Sequence, residues 1–302
     1  MFFTGFADEA ASSLSDQLRI IAALGWRHID LRNVDGTAVH DLAPDAVDAL
    51  YGALDTAGVS VPCIGSHIAN GRARITDDPS VALEQTARCI SLCQRLACTR
   101  VRVMSWPPGD DHLLDGPTAA ERFKRLRDIH RRFADAGIEA LHENCHNYGG
   151  QSPAHTVRLI EEVSGLRLIF DTANPVGAAD HRFTGELQPR QSVFEFYRLV
   201  RDHVAYIHIK DATFDPSKVD GKFAHCWPGE GMGDVRAVIR DAIATGYDDA
   251  ICIEPHVGGV HLLPGSEAMA DDERREANFL EYGKRIARIM ADLGCPIAGA
   301  AV

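Results

Sequence analysis

The sequence predicts a (β/α)₈ barrel, a single domain over residues 1–302. Three observations carry that expectation. Short β-branched runs alternate with helical periodicity along the whole chain. Its 302 residues suit one barrel, which typically needs about 250. Four apolar runs in the second half close on metal-binding side chains: IEALHE on Glu143, LRLIFD on Asp171, VAYIHIK on His208 and AICIE on Glu254. A side chain at the carboxyl end of a parallel strand points into a crevice.

The elements follow in order. FFTGF (2–6) reads as the first strand, and a helix over 13–24 follows, with Ser12 or Ser13 as N-cap and Gly25 as its stop. RHIDLR (27–32) is the second strand, and Pro44 opens a helix over 44–57 that Gly58 ends. VSVPCIG (59–65) is the third strand, although Pro62 cannot donate to a ladder. A helix over 80–96, the strand TRVRVM (99–104) and a helix over 118–136 complete the first half. The four ligand-bearing strands are then separated by helices near 153–163, 191–202 and 233–245, and a helix over 272–293 closes the chain. An open doubly wound sheet is the competing arrangement. It usually has fewer strands, and no glycine-rich phosphate loop follows the first strand.

Composition narrows the function. The formal net charge of −12 repels phosphate backbones, so nucleic acid is not an expected partner. The start, MFFTGFADEA, lacks the basic region of a signal peptide, and no apolar stretch reaches the roughly 20 residues of a membrane span. The eight cysteines form no CxxC pair and read as buried thiols of a cytoplasmic protein. No cluster of Arg and Lys stands out for a phosphate, which favours an unphosphorylated small-molecule substrate.

Three carboxylates and one imidazole suit a divalent cation such as Mn²⁺ or Mg²⁺. Positions left open on the ion would take a chelating carbonyl and hydroxyl, and the cation would stabilise an enediolate. Glu143 and Glu254, three strands apart on the rim, are the candidate base and acid. Each residue taken alone also has a plainer role: Glu143 or Asp171 as a helix cap, His208 as a hydrogen-bonded core histidine. Their succession on four strands of one rim is what favours a shared ion. Lys210 lies two residues past His208, on the same strand face, within reach of a substrate oxygen. His146 is a candidate second base. Arg32, His67, Asn144 and Asn174 are candidate substrate contacts. The segment HCWPGEGMGD (225–234) reads as a lid or substrate loop, with Trp227 and Glu230 facing a sugar.

GFADEA, HIDLR, GSHIANGRARI, RVRVMSW, LHENCHNYGG, LIFDTANPVG, YIHIKDA, PGEGMGD and IEPHV together resemble the sugar phosphate isomerase/epimerase superfamily. These xylose isomerase-like TIM barrels include ketose 3-epimerases, hydroxypyruvate isomerases, inosose dehydratases and the endonuclease IV group. The resemblance runs nearly end to end. It implies a Mn²⁺-type cation, with Mg²⁺ or Co²⁺ as substitutes, on Glu143, Asp171, His208 and Glu254, and the two glutamates as the acid/base pair. It also implies possible pairing into a homo-oligomer. Three positions depart from the tagatose and psicose 3-epimerases: Asn174 stands for a His, Phe214 for an Arg and Gly149 for a Glu. The expected activity is therefore a metal-dependent isomerase or epimerase on a keto-sugar or related polyol. An epimerase or lyase acting on 3-oxo-glycosides, with His146 as base, is the alternative, and a non-catalytic sugar-binding barrel is the third reading.

Overall fold

The computed structural model describes residues 1–109, 113–181, 189–215, 217 and 222–299. Six parallel strands form one continuous sheet: β1 (Phe2–Gly5), β4 (Arg100–Val103), β5 (Glu139–Glu143), β6 (Arg167–Asp171), β7 (Val204–Ile209) and β10 (Ala250–Ile253). Their order is β1-β10-β7-β6-β5-β4. Two small antiparallel hairpins stand apart, β2 (Asn33–Val34) with β3 (Thr37–Ala38) and β8 (Ala212–Asp215) with β9 (Lys222–His225).

The gap between β1 and β4 is filled by the two segments expected as the second and third strands. Here the structure corrects the sequence expectation. RHIDLR and VSVPCIG are not regular strands but runs of isolated parallel bridges, His28 with Ser60, Leu31 with Ile64 and Ile64 with Val101. Backbone bonds close the circle: Asp30 N–H donates to Gly5 O at 3.2 Å, and Arg102 N–H donates to Ile64 O at 2.8 Å. Pro62 has no N–H, so the ladder breaks in its own segment and leaves the neighbouring segment without a regular partner.

The helices are α1 (Leu14–Ala23), α2 (Pro44–Ala57), α3 (Pro79–Leu96), α4 (Ala119–Asp135), α5 (Pro153–Glu162), the four-residue α6 (Asn174–Gly177), α7 (Val193–Val200), α8 (Val235–Ala244) and α9 (Asp271–Asp292). Ser13 caps α1, its hydroxyl accepting from Asp16 N–H. Pro44 opens α2, and Gly58 closes it at φ 63°. Among the described residues, no helix is long and apolar enough to cross a membrane.

Two apolar layers result. The larger packs the helices onto the outside of the sheet. The smaller fills the barrel and contains Phe6, Cys63, Leu141, Ile169, Tyr206 and Cys252. Side chains two residues apart on a strand share a face. Leu141, Ile169, Tyr206 and Cys252 therefore lie one layer below Glu143, Asp171, His208 and Glu254, so the apolar plug is the floor of the site.

The glycine-rich segment departs from the expected lid. Asp211, buried just after β7, accepts from the N–H groups of Gly229 (2.8 Å), Gly231 (3.0 Å) and Gly233 (2.9 Å), and from its neighbour Ala212 (2.8 Å). A Cβ at position 231 would lie 2.3 Å from Asp211 Oδ1, so only glycine lets the backbone wrap the carboxylate. The loop is a clamp. Replacing Asp211 with Ala strands four donors, and we expect a loss of at least about 2 kcal/mol in denaturant unfolding; an unchanged unfolding midpoint would show that water replaces the carboxylate.

Candidate metal centre

The strands deliver four donors to one place. Glu143 and Asp171 end β5 and β6, His208 lies in β7, and Glu254 follows β10. The ladders fix their heights, because His208 is in register with Asp171 on one side and Cys252 on the other. All four are buried, and one ligand atom of each lies within 4.8 Å of the others.

Each carboxylate divides its oxygens. Asp171 Oδ1 accepts from the N–H groups of Ala173 (2.9 Å) and Asn174 (2.7 Å). Glu143 Oε1 accepts from Asn174 Nδ2 at 3.0 Å, and its Oε2 from Arg102 Nη1 at 3.1 Å. Glu254 Oε1 accepts from Arg32 Nη1 at 2.8 Å. This leaves Asp171 Oδ2, Glu254 Oε2 and both His208 nitrogens buried without a hydrogen bond. Buried polar atoms are rarely left so. His208 Nδ1 lies 3.4 Å from Glu254 Oε2 and 3.9 Å from Glu143 Oε2. Orphaned oxygen and nitrogen donors converging on one point fit a divalent cation held by Glu143, Asp171, His208 and Glu254.

Positive side chains surround these acids. Lys210 Nζ stands 3.3 Å from Asp171 Oδ2 and 3.5 Å from Glu254 Oε2. Burial pushes Glu254 up, but Lys210, His208, His256 and Arg32 hold it well below the usual carboxylate range. For Asp171 burial wins, only partly offset by Lys210, and its acid is raised. Burial disfavours the His208 cation, yet Glu254 and Glu143 raise its basicity overall. Burial likewise opposes the Lys210 charge, and the Asp171 and Glu254 carboxylates more than restore it.

A cleft of about 560 Å³ opens above the four donors. Of the expected residues, Arg32, His67, His146, Asn174 and Lys210 line it together with Glu143 and Glu254. Three others do not. The Asn144 amide is spent on the Asp171 backbone, donating to its carbonyl at 3.0 Å and accepting its N–H at 2.7 Å. Trp227 is buried against Tyr282, under the Arg285 guanidinium. Glu230 is exposed and paired with Arg285 at 2.5 Å. The clamp at Asp211 turns this segment toward α9, so neither of these last two faces the cleft.

The structure adds Arg102, His225 and His256 to the lining. Arg102 had a signal, since a cation within a short apolar strand needs an acid across the sheet. His256 stands two residues past Glu254, as Lys210 does past His208. It pairs with Glu9 at 2.8 Å and lies 3.6 Å from Glu254 Oε1. His225 comes from the β8–β9 hairpin and carried no local sign. The departures gain a physical account as well. A Cβ at Gly149 would lie 2.3 Å from the His142 ring, so no Glu fits there. Phe214 packs under Arg190, whose guanidinium is 4.0 Å from its ring centre.

No curated protein matches the sequence. Solved structures do match in fold. A xylose isomerase-like TIM barrel protein from Mycobacterium smegmatis in complex with magnesium is 18% identical, with 97% of each chain covered and a TM-score of 0.66. A probable 3-DHS dehydratase from Bacillus anthracis is 14% identical, covering 93% of this chain and 98% of that one, with a TM-score of 0.65. A D-tagatose 3-epimerase-like protein is 17% identical, covering 97% of this chain and 100% of that one, also at 0.65. At these identities the likeness is one of fold. The family assignment rests on the sequence itself: matched over residues 18–268, the chain belongs to the xylose isomerase-like TIM barrel family.

Proposed function

We propose that this protein is a divalent-metal-dependent isomerase or epimerase acting on a small keto-sugar or related polyol through an enediolate. The observation that carries this reading is the set of donors without a hydrogen bond on Asp171, Glu254 and His208, gathered with Glu143 beneath a cleft of about 560 Å³ that Glu143 and Glu254 line. A bound cation such as Mn²⁺, Mg²⁺ or Co²⁺ would supply Lewis-acid stabilisation of the charge that develops on a substrate oxygen.

The chain's own residues supply the proton chemistry. Glu143 and Glu254 face each other across the cleft floor, with Arg102 Nη1 between them at 3.1 and 3.7 Å. One carboxylate takes the proton from the carbon beside the carbonyl, and the other returns a proton to the opposite face or to the adjacent carbon. Return to the same carbon epimerises, and return to its neighbour isomerises. Lys210 lies on the cleft wall, where its ammonium can hold a substrate oxygen. Arg32, Arg102 and Lys210 are each already paired with a protein carboxylate, which supports an uncharged polyol over a sugar phosphate. The neighbours named for tagatose epimerisation and for dehydration are consistent with proton abstraction next to a carbonyl.

The reading on 3-oxo-glycosides has one observation of its own. His146 lines both the main cleft and a side pocket of about 230 Å³, bounded by Pro108, Gly150, Gln151 and Gly177. An aglycone in that pocket would place its glycosidic oxygen beside the imidazole, for which burial disfavours the charged form.

Three outcomes are expected. With a panel of ketoses and 3-oxo-glucosides in D₂O, the wild-type protein should exchange a carbon-bound proton, and Glu143→Gln should slow this by at least about 10²-fold; wild-type exchange in the variant rejects the acid/base assignment. Chelation should abolish exchange, and Mn²⁺, Co²⁺ or Mg²⁺ should restore it. Lys210→Ala should lower kcat/KM, and an unchanged value would remove the lysine from substrate handling.

A further inference from the structure

One histidine on the cleft wall is held more firmly than an exposed side chain requires. His256 follows Glu254 by two residues and lines the cleft, and its side chain is 38% exposed. Its backbone stands at φ 52°, in the left-handed region where a residue other than glycine is uncommon. Such a conformation persists only where the surroundings enforce it, and it concentrates at ligand-binding sites.

Glu9 holds it there. Glu9 Oε2 accepts from the His256 backbone N–H at 2.6 Å, and Oε1 stands 2.8 Å from the ring Nδ1. Both oxygens of one carboxylate thus meet one residue from the other end of the chain. Glu9 is itself anchored. Arg32 Nη2 donates to its Oε1 at 3.3 Å, and Arg275 on α9 donates to the carbonyls of Glu9 and Asp8, each at 2.9 Å. On the other flank, the His225 ring of the β8–β9 hairpin packs against His256 at 5.2 Å between centroids.

The imidazole is therefore fixed with Nδ1 toward Glu9. The other nitrogen, Nε2, stands 3.6 Å from Glu254 Oε1, too far for a hydrogen bond, and that oxygen already accepts from Arg32. We propose that His256 is a substrate-binding residue: its Nε2 hydrogen-bonds a hydroxyl of the polyol beside the carbon that Glu254 serves, and Glu9 is the positioning residue that aims the ring. A hydroxyl both donates and accepts, so it meets an imidazole nitrogen with or without its proton. A ring ordered before the substrate arrives also loses little freedom on contact. The inference rests on the isomerase or epimerase reading and assigns roles to two residues outside the four metal ligands.

The test uses hexitols, which have no carbonyl to enolise, so binding is read apart from chemistry. The Kd values of mannitol, glucitol, galactitol and allitol are measured by titration calorimetry with Mg²⁺ present. Where no hexitol binds, the KM of the ketose exchanged fastest in D₂O takes the place of Kd. His256→Asn is the deciding variant, because asparagine tolerates the left-handed backbone and is too short to reach where Nε2 stands. It should weaken the tightest hexitol by about 3–10-fold and leave the Kd for Mn²⁺ unchanged. Glu9→Ala should weaken the hexitol as well, and the double variant should bind no worse than His256→Asn, because both losses pass through one contact. Losses that multiply in the double variant would show that Glu9 acts through Arg32 and would remove its positioning role. A wild-type hexitol Kd in His256→Asn, or a loss confined to Mn²⁺ affinity, overturns the proposal. Should that variant fail to fold, the wild-type protein decides, because a His256 Nε2 nitrogen signal that stays unmoved through the hexitol titration overturns it equally. If wild type binds no hexitol and exchanges no ketose proton, the sugar reading falls and the role of His256 with it; if wild type and His256→Asn bind alike, only the role of His256 falls.

Discussion

Three carboxylates buried at the mouth of a barrel must find positive charge, and the upper half of this molecule is arranged to supply it. Glu143, Asp171 and Glu254 are each at most 3% exposed. Water cannot solvate them, so guanidinium, ammonium and backbone N–H groups do. Arg102 serves Glu143, Arg32 serves Glu254, and Lys210 lies between Asp171 and Glu254. Arg32 is in turn anchored by Asp8 and Glu9 from the first loop. The network ties the first loop, strand four and the last strands together. Its unfinished part is the set of atoms on Asp171, Glu254 and His208 that make no hydrogen bond, the two oxygens facing the Lys210 ammonium.

The barrel interior supports this arrangement from below. Strand parity stacks Tyr206 under His208 and Cys252 under Glu254. Buried bulk in that layer gives Glu143, Asp171, His208 and Glu254 little freedom. Asp30 is the polar exception in the layer, stabilised by hydroxyls that strands β1 and β7 aim at it. Asp211 shows the same economy at the rim. A single acid organises the loop over 229–233, and the glycines exist so that the backbone can approach it.

Much of this was legible in the sequence. Period-two side chains at strand ends placed Glu143, Asp171, His208 and Glu254 on one face, and adjacency in sequence became adjacency in the sheet because parallel βα units wind in one direction. Helix bounds followed from Pro44, Gly58 and Ser13, whose backbone preferences are local. Where local rules conflicted with the pattern, as at Pro62, the expected strand survived only as isolated bridges.

What the sequence alone determined was therefore which four side chains converge, the strands that carry them and the family of barrel that joins them, because those depend on short-range periodicity. What only the tertiary structure decided was how each side chain is spent. Asn144 turned to the Asp171 backbone, Trp227 and Glu230 went to Arg285, and Arg102, His225 and His256 entered the cleft. These outcomes hang on partners roughly 20 to 60 residues away or more, found only when the chain closes into a barrel, and no local propensity encodes them.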